Sequence, residues 1–166
     1  MEHHSVIDYN QWIEDNKASF QPPVMNKVVF PTSEDFIVMT VGGPNSRRDY
    51  HVNPYEEIFY QLVGTLRLNI VRDGSIFEVV TVPAGSMYII PRFVPHSPQR
   101  EKDSIGLVIE KIREEGVMDG MQWYCEKCHK LTKEIKCQMK NIVSTLAEVI
   151  KAEQPDPLCE ECQKQQ

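Results

Sequence analysis

Two histidines and a pair of adjacent glutamates form the first group of residues able to do chemistry. His51, Glu56 and Glu57 fall within YHVNPYEEIFYQLVG, residues 50–64, where an apolar stretch begins, and His96 follows the turn PRFVP. Ionisable groups entering an apolar core cost free energy unless something pairs with them. Two imidazoles and one carboxylate oxygen are a ligand set that leaves coordination positions open on non-haem Fe(II). Of the five histidines, His3 and His4 stand at the terminus and His129 adjoins a cysteine pair, which leaves His51 and His96 for this role. Strand alternation puts Glu56 on one face with Ile58, Tyr60 and Leu62, and Glu57 on the other with Phe59 and Gln61. Pro54 interrupts the run, so alternation alone leaves either glutamate available.

Three further charges belong beside such a metal. Glu110 is the lone carboxylate of the apolar run IGLVIEKI, so it must be buried or partnered. Arg100 follows His96 by four residues, and an extended segment places both on one face. Arg47, with Arg48, stands just ahead of His51. Arginine is suited to bidentate capture of a carboxylate. One arrangement accounts for the set: a small anionic substrate, clamped by arginines, next to an open-sided metal.

A third group is Cys125-x-x-Cys128 and Cys159-x-x-Cys162. Two such pairs make a tetrahedral thiolate site, the geometry of a structural zinc or a rubredoxin-like iron. Four thiolates leave no position for substrate, so this metal staples a tail too short to have a sizeable core of its own. Cys137, the fifth cysteine, reads as a small packed side chain.

The elements that must position these residues are mostly strands. Short apolar runs from Val28 to about Ile112 (VVF, FIVMTV, EIFYQLV, LRLNIV, FEVVTV, SMYIIP, IGLVIEKI) are separated by turns, including Asp73-Gly74, a hairpin signal. That density of short strands means a sandwich or small barrel. Residues 6–19 have helical spacing at Val6, Tyr9, Trp12 and Ile13, ended by QPPV. After Glu114 the composition shifts to cysteine, lysine and glutamate. Met139, Ile142, Leu146, Val149 and Ile150 have helical spacing up to Pro155, while Leu131 to Cys137 reads either as the start of that helix or as a hairpin strand. The expected division is residues 1–116, a catalytic domain with its N-terminal helix, and residues 117–166, a metal-binding tail.

A formal charge of −6 over 166 residues argues against nucleic acid as a partner. The lysine-rich KCHKLTKEIKCQMK lacks aromatic interleaving and reads as a solvated face. The first residues lack a secretory apolar region and no run reaches the length of a membrane span, which places the protein in the cytoplasm, away from membranes, with reduced thiols.

His51, Asn53, Glu57 and Gly64 resemble the first cupin motif, with Asn53 in place of its second histidine; Gly85, Pro91 and His96 resemble the second, with Phe93 where a glycine usually falls. The resemblance implies a mainly β cupin fold, a double-stranded β-helix or jelly-roll barrel with an N-terminal helix and a small C-terminal four-cysteine appendage containing a helix, and it selects Glu57 over Glu56. The combination VGGPN, RxDYH, EExFYQ, HSPQR, VIE and WYC is similar to the 3-hydroxyanthranilate 3,4-dioxygenases over nearly the whole chain. By that resemblance His51, Glu57 and His96 bind catalytic Fe(II), with Glu57 also bordering the substrate. Arg47 and Arg100 hold the substrate carboxylate, Glu110 hydrogen-bonds or deprotonates the ring hydroxyl, and Asn26 and Phe59 line the pocket. The implied reaction joins O2 to 3-hydroxyanthranilate and yields 2-amino-3-carboxymuconate semialdehyde, a precursor of quinolinate and NAD. Bacterial and fungal members of the family carry a cysteine-bearing tail, which implies a second, structural iron or zinc at Cys125, Cys128, Cys159 and Cys162 and a homodimer. The rival readings are a cupin dioxygenase for another phenolic acid, and a non-catalytic cupin ligand sensor whose four-cysteine module recruits a partner.

Overall fold

Two antiparallel sheets carry the chain in the computed structural model, which describes residues 6–21, 25–139, 142–153 and 155–165. The strands are β1 (Asn26–Val28), β2 (Phe36–Gly42), β3 (Tyr50–Val52), β4 (Glu57–Val63), β5 (Thr65–Arg72), β6 (Ile76–Pro83), β7 (Met87–Ile90), β8 (His96–Arg100), β9 (Ile105–Lys111), β10 (Asp119–Tyr124) and β11 (Leu131–Cys137). One sheet has the order β1-β2-β9-β4-β7 and the other β11-β10-β3-β8-β5-β6. Asp73 and Gly74, both at positive φ, turn β5 into β6, a conformation that this residue pair adopts at little cost.

The core lies between the sheets. Met39, Phe59, Ile90 and Val108 from the first face Leu66, Leu68, Ile70 and Val82 from the second. Each strand gives this layer its alternate residues, so the polar residues that share the inward parity are buried with it. On β4 those are Glu57 and Gln61, on either side of Phe59, while Ile58, Tyr60 and Leu62 lie on the other face, partly buried, and Glu56 is exposed.

β10 and β11 continue the second sheet past residue 116, with Met121 directly opposite His51 of β3. The segment Leu131–Cys137 is therefore a hairpin strand, and the helix starts later, as α2 (Ile142–Ala152). Met121, Trp123 and Met139 form a second core against which Ile135, Cys137, Val149 and Ile150 pack. The side chains of Ile142 and Leu146 lie outside the described residues, as do His3 and His4.

The N-terminal helix is shorter than its apolar spacing suggests. It runs as α1 (Tyr9–Asp15), capped by the Asp8 side chain accepting from the Gln11 amide, and Asn16 leaves helical geometry before a 3-10 turn, Lys17–Phe20. Val6 stands before the cap, almost fully exposed. α3 (Glu160–Gln163) follows Cys159. Among the described residues no helix is long and apolar enough to cross a membrane.

Candidate active site and metal centres

Strand pairing brings the sequence-predicted residues together from both sheets. His51 on β3 lies directly opposite His96 on β8, and Glu57 on β4 directly opposite Glu110 on β9. Like charges facing each other across a pair are unfavourable and need compensation. Ligand atoms of His51, Glu57 and His96 lie within 4.8 Å of one another, and all three residues are buried. Glu57 Oε2 is 3.1 Å from His96 Nε2 and 3.9 Å from His51 Nδ1.

Hydrogen bonds fix which ring nitrogen each imidazole presents. His96 Nδ1 donates to the Val94 carbonyl at 3.0 Å, which leaves Nε2 as the lone-pair atom beside Glu57. His51 Nε2 donates to Asp119 Oδ2 at 2.7 Å, which leaves Nδ1 on the Glu57 side. Burial lowers the His51 pKa, so the ring is neutral, as a ligand must be. Burial alone would raise Glu57, but the adjoining His96 and His51 imidazoles, which favour the carboxylate when they carry a proton, and the Asn53 amide bring it down, and it offers an anionic oxygen.

The remaining buried charges form a connected set. Asp119 receives Arg113 Nε at 2.9 Å on Oδ1 and Arg113 Nη2 at 2.6 Å on Oδ2. Arg113 Nη1 is 2.6 Å from Glu110 Oε2. Asn53 Nδ2 donates to Glu110 Oε2 at 3.0 Å and to Glu57 Oε2 at 3.3 Å. Burial and the Glu57 carboxylate push Glu110 up to about 8, against the pull of Arg113. Three carboxylates (Glu57, Glu110, Asp119) against one guanidinium (Arg113) give a formal charge of −2 when all are ionised, which a divalent cation balances. Without a cation, a proton on Glu110 relieves half of the same excess. Donor set and charge thus fit a divalent metal.

The site opens into a cavity of about 300 Å3, bordered by His51, Glu57, His96, Arg47, Arg100 and Glu110 as expected, and also by Asn26 and Phe59. Arg100 is buried. Its Nη1 donates to Gln61 Oε1 at 3.0 Å, Gln61 in turn donates to the Val63 carbonyl at 2.7 Å, and Arg100 Nε has no partner. Burial lowers its pKa to about 10, so it remains a cation at neutral pH. Glu110 Oε1 is likewise buried without a partner. An unsatisfied donor and an unsatisfied acceptor on one cavity wall set are what an anionic, hydroxyl-bearing ligand would satisfy. Arg47 Nε donates to Asp49 Oδ2 at 2.8 Å. Arg48 turns away from the cavity to Glu126 at 2.7 Å and the Pro155 carbonyl at 3.2 Å. Met25, Met39, Val41, Val108 and Ile150 give the cavity its apolar wall.

Sequence reasoning missed Asp119, Arg113 and Gln61, and saw Asn53 only as a missing histidine. The available signal was Arg113 three residues after Glu110, two residues past the end of β9.

The four cysteines also converge, with sulfurs within 4.8 Å of one another and no disulfide among them. A tight turn closed by the Cys125 carbonyl accepting from the His129 amide presents the first pair, and the start of α3 presents the second. Backbone donors, those near Cys159 foremost, lower the Cys125 thiol to about 6, whereas burial pushes Cys162 up to about 12. Four clustered thiolates repel unless a cation joins them, so this set too fits a metal.

A double antiparallel sheet with two histidines from one layer, a glutamate from the other and a cavity between defines a cupin with a donor set that fits a metal. A family model described as 3-hydroxyanthranilic acid dioxygenase matches residues 1–153, and the chain belongs to this family. The 3-hydroxyanthranilate 3,4-dioxygenase of Bacillus thuringiensis is 41% identical over 140 residues, 84% of this chain and 78% of that protein. The protein of the same description from Neurospora crassa is 34% identical over 161 residues, 95% of this chain and 88% of its own length. Among solved structures, a cupin-2 domain containing protein from Shewanella frigidimarina aligns with 64% of this chain and 94% of that chain, at 26% identity and a TM-score of 0.47.

Proposed function

We propose that the protein converts 3-hydroxyanthranilate and O2 to 2-amino-3-carboxymuconate semialdehyde, with Fe(II) held by His51, Glu57 and His96. The observation that carries this reading is the pairing, on one cavity, of that donor set with the unpartnered Arg100 Nε and Glu110 Oε1. Arg100 and Arg47 receive the substrate carboxylate, and the Arg100 charge offsets it. Glu110 Oε1 accepts a hydrogen bond, and then the proton, from the ring hydroxyl, which enriches the ring in electrons. Phe59, Met39 and Val108 exclude water from the ring faces, and Asn26 lines the same cavity. Bound Fe(II) supplies a template for the aminophenol and O2 and the redox capacity that two ground-state reactants lack. The ring bond between the hydroxyl-bearing carbon and its unsubstituted neighbour breaks, one carbon ending as carboxylate and the other as aldehyde, so both oxygen atoms of O2 are kept.

The four-cysteine site takes a structural iron or zinc that fastens the tail. The same reading makes the protein a cytoplasmic homodimer whose product leads to quinolinate and NAD.

The test is oxygen uptake by anaerobically purified, Fe(II)-loaded protein on addition of 3-hydroxyanthranilate, beside Glu57→Ala. Uptake with ring-opened product, absent in the variant, is expected. No uptake by protein with verified iron and an intact fold would overturn the substrate assignment.

A further inference from the structure

Arg113 sits behind the cavity, off its wall, with 1% of its side chain exposed, and it joins two groups that act on different partners. On one side two of its nitrogens grip Asp119, whose Oδ2 receives the His51 ring. On the other, Nη1 meets Glu110 Oε2 at 2.6 Å and donates to the Lys111 carbonyl at 2.7 Å, which locks the guanidinium to β9. Asn53 holds the same Glu110 oxygen and passes on to Glu57, so the contacts run from His51 through Asp119, Arg113, Glu110 and Asn53 to Glu57. With Oε2 bound twice, the Glu110 carboxylate cannot rotate, and Oε1 is its one oxygen without a partner.

We propose that Arg113 is a positioning residue that holds Glu110 and, through Asp119, the His51 ring as one rigid unit, fixing which Glu110 oxygen meets the substrate and how firmly His51 keeps the metal. The inference deepens the proposed function and rests on it, since it assigns Arg113 no contact with substrate. A planar guanidinium is needed because three nitrogens serve two carboxylates and a carbonyl at once. A lysine keeps the charge but serves as a point donor.

The experiment is a double-mutant cycle on the Fe(II)-loaded enzyme with Arg113→Lys and Glu110→Gln, reading kcat, KM and the rate of Fe(II) loss to a coloured chelator. Glu110→Gln is expected to lower kcat about 10²-fold. Arg113→Lys is expected to lower it about 10- to 100-fold, with KM changed little because the arginine grip on the carboxylate is separate. The double variant falls within about twofold of Glu110→Gln alone, because a residue acting through Glu110 has nothing left to position. Iron loss from Arg113→Lys quickens by about tenfold, an effect of a loosened outer ligand partner. Additive losses of kcat, or unchanged iron release, overturn the proposal. Where Arg113→Lys does not fold, the isosteric Asp119→Asn takes its place: faster iron release together with a kcat loss absent from the Glu110→Gln background supports it, and unchanged release and kcat overturn it. Undiminished kcat in Glu110→Gln alone removes the role of Glu110 in the proposed function and the proposal with it, an outcome distinct from additivity.

Discussion

Gly106→Ala should cripple anion binding while leaving the fold nearly intact. Gly106 lies on β9 opposite Gln61, with inward parity shared by Val108 and Glu110. A Cβ there would stand 2.5 Å from Arg100 Nη1 and 2.7 Å from Gln61 Oε1. Both are the far ends of side chains rather than backbone, so the chain relieves the clash by moving them, and the Arg100–Gln61 bond is what breaks. Overpacking costs roughly 1–3 kcal/mol, partly offset by the roughly 0.5–1 kcal/mol that alanine gains over glycine inside a strand. A net loss of about 1 kcal/mol lowers Tm by about 2–4 °C in a chain of this size.

The effect on binding is larger. A hydrogen bond to a charged group contributes about 1.5–3 kcal/mol, and one displaced guanidinium therefore weakens affinity by about 10- to 150-fold. Anaerobic calorimetry on Fe(II)-loaded protein with 3-hydroxyanthranilate and with 2-aminophenol, which has no carboxylate, isolates this term. The first ligand should weaken and the second hold within about twofold, with iron content unchanged. Equal weakening of both ligands, or of neither, would refute the reasoning that Gly106 exists to seat Arg100.

Other outcomes follow from the same geometry. Glu57→Ala removes the one anionic ligand, so catalytic-site metal affinity should fall by more than about 10²-fold while the four-cysteine metal stays, checked by metal analysis; full retention of both metals contradicts the ligand assignment. Cys162→Ser should cost the tail its metal and admit protease cleavage between residues 125 and 165, and an undigested tail would show that the cysteines do not fasten it. In metal-free protein, Glu110 at about 8 binds a proton that the unfolded chain has already released above the ordinary carboxylate range. Its stabilisation is complete below that range and lost as pH rises through 8, so Tm should fall across that window, and fall less in Glu110→Gln. A metal-free Tm with the same slope in both proteins would mean that Glu110 is ionised throughout.

The sequence made the site legible where residue type and spacing act together. His96 and Arg100, four apart on an extended segment, do share the inward face of β8, and the two CxxC pairs do converge. It was least legible on β4, where hydropathy misleads: the apolar Ile58, Tyr60 and Leu62 lie on the outer face and the mixed set Glu57, Phe59 and Gln61 lies inside. A strand lining a polar site reverses the usual parity, because its inward residues are chosen for what they bind and its outward ones for what covers the sheet. Only the motif spacing separated Glu57 from Glu56. The helical spacing at Val6 was uninformative for a different reason, since the Asp8 cap starts the helix after it.

What no local pattern could supply is the set of residues behind the ligands. Asp119 lies 68 positions from His51, and reaches it because β10 pairs with β3. Arg113 reads as an ordinary surface cation in KIREEG until the strand register places Glu110 and Asp119 on either side of it. Burying that guanidinium would be costly alone, and so would leaving Glu57, Glu110 and Asp119 together without it. The charges are tolerable only as a group, and a divalent cation would bring Glu57, Glu110, Asp119 and Arg113 to neutrality. That accounts for two facing glutamates in a largely apolar inner layer: Arg113 relieves their repulsion, a divalent metal would relieve the rest, and Glu110 keeps one oxygen unpaired on the cavity side of the pair.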